Sequence, residues 1–265
     1  MKWIAQSISL VAFSIPMFLE LATIPSLAAQ AQAQVDPTLL TQQQKQPWLI
    51  SQAFKPPQRG TAPPSAGGAT RGSYCVQKNQ LLTPLLPKEN IGLTFSERPT
   101  FFWHVPANTV KTAQFSILAE GDENSIEDDV VYEATLNVPN KAGIMKFTLP
   151  EGSSPLKVGK RYHWYLTLIC DRQNPPRNPS TEGWVERTQP EATLSKALEQ
   201  ADIRKRPALY AEAGIWHEAL TSLVELRCAE PNNFKVTSDW RRFFLSVNLS
   251  QFASEPILDC CSNKQ

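Results

Sequence analysis

Short runs in which every second residue is apolar dominate the middle of the chain. In Thr100 to Val105, Phe101, Trp103 and Val105 share one face and Phe102 and His104 the other, with Pro99 and Pro106 closing the run at both ends. Alternation of period two marks a strand with one face on a core. Ala113, Phe115 and Ile117 repeat it, as do Val130, Tyr132, Ala134 and Leu136, then Met145, Phe147 and Leu149. The longest run is Arg161 to Cys170, where Tyr162, Trp164, Leu166, Leu168 and Cys170 lie opposite His163, Tyr165, Thr167 and Ile169. With Glu182 to Thr188 and a short strand near Ile91 to Phe95, residues 73–188 hold about seven strands, the number and spacing of an antiparallel sandwich.

After Pro190 the period changes. Leu194, Ala197, Leu198 and Ala201 form a stripe at helical spacing. Pro207 suits the first turn of a second helix ending at Gly214. Trp216, Ala219, Leu220, Leu223 and Val224 line a third, which stops before Pro231. A fourth is expected to start at Ser238 or Asp239 and to turn Trp240, Phe243, Phe244 and Val247 inward, with a last short turn from Ser250 to Pro256. Residues 189–265 therefore read as an α-helical part, and the fold class as α+β: an N-terminal sandwich followed by a small helical part.

The first residues belong to neither pattern. Lys2, an apolar run from Trp3 to Leu27 and the small residues Ala28, Ala29 and Ala31 have the layout of a secretory signal peptide, 1–28, cleaved near Ala28 or Ala31. Pro16, Glu20 and Pro25 interrupt the run too often for a spanning helix. Residues 29–72 are rich in Gln, Pro and Ala with scattered apolar positions, and read as a disordered linker.

Composition narrows the function classes. Lys plus Arg number 26 against 25 for Asp plus Glu, a net charge of +1, with no basic cluster for nucleic acid. The acidic run from Glu120 to Asp129 lacks the spacing of a calcium loop and reads as a solvated connection. His104, His163 and His217 have no second ligand at metal spacing, no cofactor fingerprint occurs, and none of the common nucleophile or phosphate motifs is found. The two strand histidines are expected to face solvent.

Export permits disulfides. Of five cysteines, Cys75 and Cys170 are the preferred pair, because a bridge would join the entry of the sandwich to the end of its longest strand. Cys228 with Cys260 or Cys261 is a second possibility, and the odd count leaves one thiol over.

The order of landmarks adds a resemblance. Leu156, Gly159, Tyr162 and Trp164 stand where a fibronectin type III-like or immunoglobulin-like domain enters its central strand, which implies that Tyr162 bonds back to the preceding turn and that Trp103 and Trp164 are core. The stretch from Ala208 to Asn233 resembles a single tetratricopeptide hairpin, with no second copy beside it. RGSYC at 71–75, LTPLLP at 82–87, RPTFFWHVP at 98–106, GKRYHWYLTLIC at 159–170 and ALYAEAGIWHEAL at 208–220 look like the cyanobacterial family known as domain of unknown function 928. That resemblance implies an exported protein and carries over no catalytic residue.

The expectation is a periplasmic or extracellular, non-enzymatic interaction or structural module of the cell envelope. Its partner would be an envelope protein or a glycan. A carbohydrate-binding alternative would use Phe102, Tyr165 or Trp184 as exposed rings, and a protein partner would meet Trp240 or Phe252. A hydrolase assembled from residues far apart is the remaining alternative.

Overall fold

The computed structural model describes residues 53–57, 75–77, 80–121, 129–173, 177–258 and 260, all within a compact unit spanning Trp48–Gln265. The expected signal peptide, most of the expected linker, the centre of the acidic run and Cys261 lie outside the described residues.

Among the described residues eight strands and four helices follow one another with the helices C-terminal, an α+β arrangement. The strands are β1 (Thr83–Pro84), β2 (Ile91–Thr94), β3 (Thr100–Val105), β4 (Thr112–Ala119), β5 (Asp129–Asn137), β6 (Gly143–Thr148), β7 (Arg161–Leu168) and β8 (Ser180–Arg187). They form a three-stranded sheet, β1-β3-β6, and a five-stranded sheet, β2-β8-β7-β4-β5. All pairs are antiparallel except β2 with β8, which run parallel. That pair corrects the expectation of a wholly antiparallel body. The direction in which an edge strand joins is set by its connection, which its own alternation does not record. β1 went unread because two residues carry no period.

Alternation decides what lies between the sheets. Phe101 and Trp103 of β3 meet Phe115 of β4 at 5.2 and 5.4 Å and Trp164 of β7 at 5.8 and 5.7 Å between ring centroids. Offset and edge-on ring pairs add to the burial energy of the rings themselves. The Lys157 N–H donates to the Tyr162 hydroxyl at 2.8 Å, tying β7 back to the turn before it.

The helices are α1 (Ala192–Gln200), α2 (Arg206–Glu212), α3 (Trp216–Ala229) and α4 (Phe234–Ser246), followed by a 3-10 turn at Ser250–Phe252. α1 contacts α2 and fully buries none of its residues. The cap of α4 is Asn233, whose side chain accepts from Lys235 and Val236 N–H, and not Ser238 or Asp239. The inward stripe explains the difference, since it already starts at Val236, one turn before Trp240.

Side-chain and backbone contacts tie the helical part to the sheets and to a segment from before them. The Trp216 indole donates to the Leu85 carbonyl at 2.9 Å. Pro256–Leu258 extends the three-stranded sheet beyond β6, with Ile144 N–H donating to Pro256 and Leu258 N–H to Ile144. Ala53–Pro57 lies on the helices with Phe54 buried, so the linker reading fails for these five positions. One phenylalanine in a polar stretch gives no periodic signal.

Disulfides join Cys75 to Cys170 and Cys228 to Cys260. Among the described residues, no helix is long and apolar enough to cross a membrane.

Candidate functional site

The first turn of α3 abuts the connection between β2 and β3, and it sends two polar side chains there. His217 Nδ1 lies 2.9 Å from the Thr100 carbonyl. A carbonyl only accepts, so Nδ1 carries the proton and Nε2 holds a lone pair. Nε2 is buried, has no hydrogen-bond partner among the described residues and faces Gly92, where an added Cβ would come within 2.6 Å of it. Burial lowers the His217 pKa from 6.5 to about 4, against a smaller raising effect of the Thr100 bond, and the ring is neutral at pH 7.

Glu218 follows. Its Oε1 accepts from the Thr94 hydroxyl at 2.7 Å and from Phe95 and Ser96 N–H at 3.0 and 2.9 Å. Burial outweighs these bonds and raises its pKa. Beside the pair opens a cleft of about 140 Å³ whose lining includes Arg98, Thr100, Tyr210, Thr221 and Ser222. Burial, with the Glu218 charge second, raises the Tyr210 pKa. Neither imidazole nitrogen is free to take a proton from a molecule in this cleft, because one is bonded to Thr100 and the other is packed against Gly92. The geometry is that of a clamp between helix and strands.

A second polar cluster sits on β7 and β8. Their register sets His163 opposite Trp184 and Tyr165 opposite Glu182. The imidazole stacks on the indole at 4.2 Å, the Tyr165 hydroxyl lies 2.8 Å from Nδ1, and the Glu182 carboxylate lies 3.1 Å from Nε2. Cross-strand pairs of this kind hold a sheet together.

These contacts revise the expected surface rings. Phe102 and Trp184 are buried and Tyr165 is half-buried. Trp240 is fully buried and donates its indole N–H to the Ala253 carbonyl at 2.9 Å, so it is packing and not a contact for a partner. Phe252 is half-buried and stacks on His104 at 4.5 Å, with Glu255 3.6 Å from the same imidazole. Both strand histidines are buried, contrary to the solvent-facing expectation. Phe252 and Glu255 cover His104, and the neighbouring side chains Tyr165, Glu182 and Trp184 cover His163, neither of which alternation within one strand reveals. The His104 pKa is lowered by burial, which outweighs the raising effect of Glu255.

The exposed aromatic is a different one. Phe234, at the start of α4, is 86% exposed and Leu245, near its end, 65%. At about 100° per residue these two, Ser238 and Arg241 fall within one narrow stripe, and Arg242 flanks it. Arg241 and Arg242 are exposed and have no carboxylate partner among the described residues. Phe234 belongs to the first turn of α4, which the expected start at Ser238 or Asp239 does not include, so no periodic stripe in the sequence marks it as outward.

Among the described residues no group of three or more His, Cys, Asp or Glu side chains could hold a metal ion. A family model with the description Domain of Unknown Function (DUF928) matches residues 66–257, which include all eight strands and all four helices. No curated protein matches the chain significantly.

Proposed function

The chain belongs to the DUF928 family, and because that description supplies no activity we propose a function from the geometry: an exported interaction module of the cell envelope that meets a protein partner through the outer stripe of α4. The observation that carries this is the exposure of Phe234 and Leu245 on one side of a helix whose exposed arginines lack carboxylate partners among the described residues. Aromatic and arginine side chains supply much of the energy of protein interfaces. The two disulfides favour an oxidising compartment. The body is read as an immunoglobulin-like sandwich, supported by the Tyr162 tie and the rings between the sheets, with the parallel β2–β8 pair as a departure. A non-enzymatic role is supported by His217, whose nitrogens are both committed or buried beside the cleft at the start of α3. The sugar-binding alternative keeps only Tyr165, itself turned to His163.

The test is retention from envelope extract by the immobilised full chain and by a Phe234→Ser/Leu245→Ser variant of unchanged circular dichroism. The wild type retains a specific protein that the variant loses. Equal retention by both sinks the reading.

A further inference from the structure

A groove on the helical part is occupied by a distant piece of the same chain. Ala53–Pro57 crosses α2, α3 and α4, while residues 58–74 separate it from Cys75. The Phe54 ring is 5% exposed, edge-on to Trp216 at 4.9 Å and to Phe243 at 6.2 Å. The backbone is read at two points. Phe54 N–H donates to the Ser246 hydroxyl at 2.9 Å, and Lys55 N–H donates to the Ala211 carbonyl at 3.0 Å. The same hydroxyl donates to the Phe243 carbonyl at 2.7 Å, which leaves its lone pairs for Phe54. The Lys55 ammonium pairs with Glu212.

The floor of the groove is shaped for this approach. Gly214, between α2 and α3, has φ +73°, and a Cβ there would stand 2.8 Å from the Lys55 carbonyl oxygen and 3.0 Å from Pro57 Cδ. A buried ring, backbone hydrogen bonds and one charge pair are the means by which peptide-binding domains read a short extended segment. Pro56 and Pro57 restrict the free segment to extended conformations and so reduce the entropy lost on docking.

We propose that α2, α3 and α4 form a receptor for an extended aromatic–basic–Pro–Pro segment, filled here by Ala53–Pro57, and that the same segment on a separate polypeptide binds there once the tethered copy is released. This goes beyond the α4 surface proposed above, since the groove is a different site with a different occupant. A tethered segment competes at an effective concentration of about millimolar, so the intact chain excludes weaker ligands. Release needs only a cut in residues 58–74. No disulfide in the structure holds the part before Cys75 to the rest.

The experiment places a specific protease site within residues 61–68 of the full chain, folds it, cuts it and washes it in the presence of a labelled peptide of residues 50–60. Expected are saturable binding to the cut body, binding at least about tenfold weaker for the Phe54→Ala peptide, and much weaker binding to the uncut chain. A Lys55→Glu peptide loses affinity on the wild-type body and regains part of it on a Glu212→Lys body. The Phe234→Ser/Leu245→Ser chain binds the peptide unchanged, which separates this site from the α4 stripe. If release of the fragment unfolds the body, recovery of the near-ultraviolet circular dichroism is read instead. Recovery with the wild-type peptide and not with Phe54→Ala supports the receptor. Equal effects of the two peptides, or a folded body that binds neither, overturns it.

Discussion

At the scale of single residues, the clamp on α3 shows how a polar side chain becomes structural. Gly92 faces His217, and an added Cβ would lie 2.6 Å from Nε2 and 3.1 Å from Trp216 Cδ1. Neither ring is the free end of a flexible side chain, so α3 would have to move. Gly92→Ala is expected to cost about 1–3 kcal/mol in denaturant unfolding, whereas Gly152→Ala, with no atom within 4 Å of the added Cβ, is close to neutral. Equal stabilities would show that the contact is slack.

The same histidine sets a pH dependence. Its unfolded form takes a proton near 6.5 and its folded form only near 4, so stability is lost as pH falls between those values, by roughly 3 kcal/mol for a shift of this size. Glu218 has the opposite sign, because its raised pKa favours the folded state at low pH and that contribution fades as pH rises through the folded value. The difference in unfolding free energy between wild type and His217→Gln isolates the first effect. It should shrink from pH 6.5 to pH 4, and a difference that stays constant over that interval contradicts the buried neutral ring. His217 stood out in the sequence as a solitary histidine, but its partner Thr100 is 117 positions away, a contact that no local pattern reveals.

Elements were legible in proportion to their length and regularity. The longer strands, such as β4 and β7, follow from alternation, since their apolar positions fall every second residue on one core face. The pairing of β2 alongside β8 and the two-residue β1 did not, because register and direction depend on connections. Helix ends show the same limit. Ser238 looked like a cap from its chemistry, while the stripe from Val236 to Val247 required a start one turn earlier. Asn233 accepts from two backbone N–H groups, and Asn233→Ala should therefore cost about 1 kcal/mol. Ser238→Ala, within the helix, should change stability by only a few tenths. Thermal unfolding of the two variants checks the assignment, and reversed magnitudes would return the cap to Ser238.

For the molecule as a whole, the contacts that cross between strands and helices decide whether the two unfold together. The Trp216–Leu85 bond, the packing of His217 on Gly92 and the addition of Pro256–Leu258 beside β6 each take one group from either part. The C-terminal segment contributes most of its contacts outside itself. Phe252 covers His104, the Ala253 carbonyl accepts from Trp240, and Cys260 closes a bridge to Cys228. That bridge spans 32 positions and should stabilise the fold by about 3–4 kcal/mol in the loop-entropy account. A chain ending at residue 249 loses all of these at once. It uncovers a sheet histidine and a β6 edge on one side, and leaves a buried indole donor without its acceptor on the other. Unfolding followed by helical ellipticity and by tryptophan fluorescence should coincide in the oxidised full chain, and both midpoints should fall together in the shortened one. Because the segment touches both parts directly, it is the coincidence of the two transitions, and not the loss of stability alone, that shows sheets and helices unfolding as one. A fluorescence signal that splits, with the Trp216 and Trp240 part following the helical ellipticity and the Trp103, Trp164 and Trp184 part keeping its midpoint, would instead divide the body into a self-sufficient pair of sheets and a dependent helical layer.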